Sequence, residues 1–165
     1  MSERSVELGK QNITETIKYD YFIVGISAAT FAYFAKDFKP INDIALNSST
    51  LVAASLLLLA LSVISGLRKI KLHIAHFAVN SKYLDASSLL AAYKKNAIEG
   101  GVAMNSNTGE ILQPSESSIK ARELQPLIPE FKSDLDRLGD KVYLTSKIRD
   151  ICLYFAYVVL VTIPK

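Results

Sequence analysis

The sequence predicts an all-α integral membrane protein of about three transmembrane helices, with a mainly helical region between the second and third. Two observations carry this reading. Ile44 to Leu67 is a run of 24 residues without a charged side chain or histidine, Tyr21 to Ala35 is 15 such residues, and Ile151 to Pro164 is 14. The positive charges near these runs are also unevenly placed. In composition the 165-residue chain is half apolar, with a mean hydropathy of +0.22 and only 21% charged residues. That excludes a disordered chain, and a single cysteine excludes a disulfide-stapled miniprotein.

The first element is the lead, residues 1–18. Val6, Ile13 and Ile17 alternate with Glu3, Glu7, Lys10 and Glu15 in the manner of an amphipathic helix. Its acidic face makes packing on other helices a better use than lipid binding. The first span is assigned to 19–38. Fifteen uncharged residues rise only about 23 Å, but Tyr19, Tyr21, Tyr33, Phe34 and Phe38 stand where interfacial aromatics belong, and Lys18 and Lys36 can snorkel. A re-entrant or interfacial helix is the alternative.

The second span, 46–67, is the strongest. Its run LVAASLLLLALSVISGL contains no proline, and the 24 uncharged residues rise about 36 Å, more than the hydrocarbon core of about 30 Å. The third, 148–164, is rich in β-branched and aromatic residues and alone could be a buried strand. The spacing of Phe131, Leu135, Leu138, Val142 and then Leu144, Ile148, Ile151 and Phe155 favours a helix, either crossing the membrane or lying on it.

Orientation follows from the basic residues beside the spans. Arg68, Lys69 and Lys71 follow the second span, and Lys147 and Arg149 precede the third, whereas the 36–45 loop is balanced in charge. The positive-inside rule therefore places the N-terminus and residues 68–147 in the cytoplasm and Lys165 outside, as in a multi-pass protein of the bacterial inner (plasma) membrane. The first apolar run begins too late, and after too acidic a lead, for a cleaved signal peptide.

Within 68–147, Ile70, Ile74, Phe77 and Leu84 continue the second helix, and Asp85, Ser87 and Ser88 read as a cap or break. A helix through LLAAYKKNAI then ends at Gly100–Gly101. Asn105, Asn107 and Gly109 between short apolar pieces predict either a β-hairpin or a loop. A short helix opens at Ser117 or Ser118 and closes at Pro126. The last helix begins at Pro129, with Gly139 a candidate kink. Positive and negative charges nearly balance here, with no basic stripe and no nucleic-acid motif, so nucleic acid is not an expected partner.

The sequence offers no catalytic set and no cofactor motif, and a non-enzymatic protein is expected. His73 and His76 lack the further ligands a metal site needs, Cys152 has no nearby base, and Walker, dinucleotide and nucleophile-elbow motifs are absent. The three uncharged runs hold no ionisable group at depth, which weighs against ion-coupled transport. What remains is a set of small and hydroxyl residues. Gly25 and Ala29 form a four-residue row in the first span, and Ser62 and Gly66 form another in the second, with Ser55 a heptad before Ser62. Such rows permit close helix contact, within one chain or between copies, and Ser48, Ser55 and Ser62 also suit a wet pore lining.

The expected partners are therefore the lipid bilayer and further copies of the chain in a homo-oligomer. The expected function is that of a self-assembling, pore-like or membrane-perturbing effector or sensor. In arrangement, though in no specific motif, the chain resembles the compact membrane-disrupting proteins of bacterial antiviral defence systems. The alternative is a membrane anchor or subunit that docks a soluble cytoplasmic protein.

Overall fold

A computed structural model describes residues 3–36, 38, 48–100, 103–104, 109 and 111–163. These form α1 (Glu3–Ala35), α2 (Ser48–Glu99), β1 (Ala103–Met104), β2 (Ile111–Leu112), α3 (Pro114–Leu124) and α4 (Leu127–Thr162). The chain divides into two compact units. One comprises residues 1–73 and 141–165, the other 74–140, so α2 and α4 each contribute to both.

Two boundaries differ from the sequence expectation. The amphipathic lead and the first apolar run are one continuous 33-residue helix, with no proline between them to end it. The second helix does not break at Asp85–Ser88 but runs unbroken for 52 residues. Ser88 Oγ donates to the carbonyl of Asp85 at 2.8 Å, so the hydroxyl bonds back into its own helix instead of capping a new one. Gly139, the candidate kink, lies within α4, a continuous 36-residue helix. A glycine in a helix interior costs only about 1 kcal/mol, which the flanking turns absorb.

α3 opens three residues before the expected serines. Pro114 takes the first helical position, and the Gln113 N–H donates to Glu116 Oε2 at 2.9 Å, a cap formed by the N3 glutamate. Ser117 is thereby free for an interior role. α4 opens two residues before Pro129, which falls in the first turn, where a missing N–H costs nothing.

In the unit of residues 74–140, the core consists of Tyr93, Leu112 and Ala121, with Leu89, Leu90 and Leu124 packed against it. Buried Asn96 donates its side-chain amide to Ser117 Oγ at 2.7 Å and to the carbonyl of Leu112 at 3.4 Å, joining α2, β2 and α3. Gly100 ends α2 at φ +70°, and its N–H bonds the carbonyl of Asn96 at 3.1 Å. Of the hairpin-or-loop alternatives the hairpin is formed. The strands pair antiparallel, Ala103 with Leu112 and Met104 with Ile111, and Gly109 at φ +69° sits between them. Asn105 and Asn107, Gly101, most of the 36–45 loop and Lys165 lie outside the described residues.

Candidate functional site

The unit of residues 1–73 and 141–165 packs α1, the first part of α2 and the last part of α4 around an ionic layer. Asp20 of α1 is fully buried, and its Oδ1 accepts from Lys69 Nζ of α2 at 2.7 Å and from Arg149 Nη1 of α4 at 2.6 Å. Its Oδ2 accepts no hydrogen bond among the described residues, so both cations converge on one oxygen. Arg149, itself buried, also donates from Nε to Asp150 Oδ1 at 2.8 Å. Two carboxylates thus balance two cations, and the one fully withdrawn from water is held by both. Removing a partner from such a set leaves an uncompensated buried charge.

Further contacts give the helices their directions. Thr30 Oγ1 lies 3.0 Å from the Tyr157 hydroxyl, so α1 and α4 rise in parallel from the layer. Gly66 packs so closely on Val24 that a Cβ there would collide with the valine side chain, and α2 therefore runs antiparallel to α1. Ser62 Oγ donates to the Arg149 carbonyl at 3.2 Å, tying α2 to α4 beside the ions.

Between the layer and the ends of α1 and α4 the interior is built of small and apolar side chains, with Leu59, Ala156, Ser27 and Ser55 fully buried. The outer face is also apolar. Tyr21 and Phe22 on α1, Leu57, Leu61, Ile64 and Leu67 on α2, and Tyr154, Phe155, Val158 and Val161 on α4 are all exposed. α2 alone among the described helices holds an 18-residue stretch apolar enough to cross a membrane by length and composition, with mean hydropathy 2.3. Only 28% of that stretch is buried within the chain.

The residues singled out in the sequence separate into two groups. Ser55 and Ser62 are buried within the chain, and Ser55 bonds the Leu51 carbonyl of its own helix at 2.9 Å. Gly66 stands at the α1–α2 contact, with Arg149 Cδ 3.3 Å from the position of a Cβ. Gly25 and Ala29 face outward on α1, and a Cβ on Gly25 would meet nothing within 4 Å. Ser62 and Gly66 therefore belong to the ionic layer, whereas Gly25 and Ala29 are free for contacts outside the chain. Cys152 is buried and unpaired, and among the described residues no group of three potential metal ligands occurs.

Asp20 was not singled out from the sequence, and Lys69 and Arg149 were read there only as basic charges flanking apolar runs. A signal was present. Ser55, Ser62 and Lys69 recur every seven residues, as do Asp20 and Ser27, so an inward seam of hydroxyls leads to the ions, whereas Ser48, one heptad earlier, is exposed. Compared with known protein families, with curated proteins and with solved structures, the chain matches none.

Proposed function

We propose that α1, the first part of α2 and the last part of α4 cross a bilayer together, and that the chain is a non-enzymatic, self-assembling, membrane-perturbing effector. The observation that carries this is the ionic layer at the base of unequal helices. Above it α2 rises about 32 Å from Lys69 to Ser48, while α1 rises about 22 Å to Ala35 and α4 about 20 Å to Thr162. A hydrocarbon core is about 30 Å thick. Because Asp20 fastens all three helices at one level, the short ones cannot slide to share the deficit. The bilayer then thins around them, or copies associate to hide the mismatch. The outward row of Gly25 and Ala29 is the surface such copies would use. Basic residues at the base of the helices set that end in the cytoplasm.

Thickness dependence tests this reading. Dye-loaded vesicles of long-chain phosphatidylcholine are expected to leak several-fold faster on incorporation of the protein than vesicles of short-chain phosphatidylcholine. Leakage independent of thickness, or none in either, would contradict it.

One observation favours a second reading, docking of a soluble partner. In the unit of residues 74–140, Ile98 is 84% exposed, and Ile111 and Ile119 are well over half exposed. In that case co-purification would recover a stoichiometric soluble protein, and vesicles would stay sealed.

A further inference from the structure

The ionic layer is surrounded by basic side chains that it does not use. Arg68 and Lys71 on α2 lie within two residues of Lys69, and Lys147 on α4 lies two residues from Arg149, each within about 3 Å of that ionic residue along its own helix. All three are exposed, and among the described residues none has an acidic partner. The acids at this level are already committed. Asp20 is held by Lys69 and Arg149, Asp150 by Arg149, and Glu15 pairs with Lys18 at 2.9 Å. Exposed Tyr19 and Tyr21 flank Asp20, and Lys147 Nζ stands 4.5 Å above the centre of the exposed Tyr143 ring. Free cations and amphipathic rings on all three helices thus form a collar at the edge of the apolar surface, the depth at which lipid phosphates lie.

We propose that this collar binds anionic phospholipid headgroups and selects them over zwitterionic ones. The proposal rests on the bilayer reading above and adds a lipid class to it. A zwitterionic headgroup carries its own ammonium, which competes with Arg68, Lys71 and Lys147 for the phosphate. An anionic headgroup leaves them its full charge. Each basic side chain near an anionic surface contributes about a fivefold factor, so three give a preference of order a hundredfold. Lys18 adds less, because Glu15 already neutralises it.

The test uses the full chain in a nonionic detergent, titrated with fluorescent phosphatidylglycerol and, separately, phosphatidylcholine. The same preparation is reconstituted into vesicles of each lipid. Wild type is expected to bind phosphatidylglycerol about a hundredfold more tightly. The variant R68Q/K71Q/K147Q is expected to lose nearly all of that preference while still entering both vesicles. Equal affinity for the two lipids, or an undiminished preference in the variant, would overturn the collar and leave the bilayer reading standing. Failure to enter either vesicle would overturn both. Inorganic phosphate at matched ionic strength is expected to leave the lipid bound, and displacement by it would assign the collar to a soluble anion instead.

Discussion

Replacing Asp20 by leucine is expected to destabilise the three-helix unit by about 3–5 kcal/mol, because Lys69 and Arg149 are then buried without their shared counter-ion. Thermal unfolding of the detergent-solubilised protein, followed by helical circular dichroism, measures the effect. Asp20→Asn keeps an acceptor at Oδ1 but loses the charge, so its loss should be smaller. The triple replacement Asp20→Leu, Lys69→Met, Arg149→Met is expected to recover most of the stability, since an apolar set of similar volume often matches a buried ion group. If Asp20→Leu melts like wild type, the layer does not hold the helices at one level, and the short helices are free to slide along α2.

The second large effect belongs to the other unit. Leu112 is 2% exposed and is the chief apolar contribution of the hairpin to a core of very few residues. Leu112→Ala should cost about 2–5 kcal/mol, which exceeds what so small a core can spare. Amide hydrogen exchange should then show protection lost across β2 and α3 but kept between Leu51 and Leu67. Retained protection in α3 would mean that the Asn96–Ser117 hydrogen bond, and not the apolar core, organises this unit.

The helices and the ionic layer were not equally legible in the sequence. The runs at Tyr21, Ile44 and Ile151 announced helices because each is long, apolar and free of proline before its last residue. Gly100 announced the end of α2 because a left-handed residue is needed there. Local signals misled at Asp85–Ser88, where a hydroxyl that could cap a helix bonds back within one, and at Ser117, whose hydroxyl is taken by Asn96. The ionic layer was hidden for a different reason. Whether a charge beside an apolar run turns toward water or toward a neighbouring helix depends on helices 49 and 129 residues away in sequence. Only the seven-residue recurrence of Ser55, Ser62 and Lys69 pointed inward. The same dependence governs Ser55 and Ser62, which hydroxyl spacing alone assigns equally to a pore or to packing, and which lie within the chain's own packing.

On the proposed reading, three helices cross a bilayer with the ionic layer at the cytoplasmic face. Labelling of single cysteines by a membrane-impermeant maleimide in intact bacterial cells tests it most directly, in a Cys152→Ala background. Asn42→Cys, between α1 and α2 in sequence, is expected to label from outside. Lys95→Cys, in the unit of residues 74–140, is expected to label only after the cells are opened. Labelling of Lys95→Cys in intact cells, or recovery of the protein in the soluble fraction, would contradict the account.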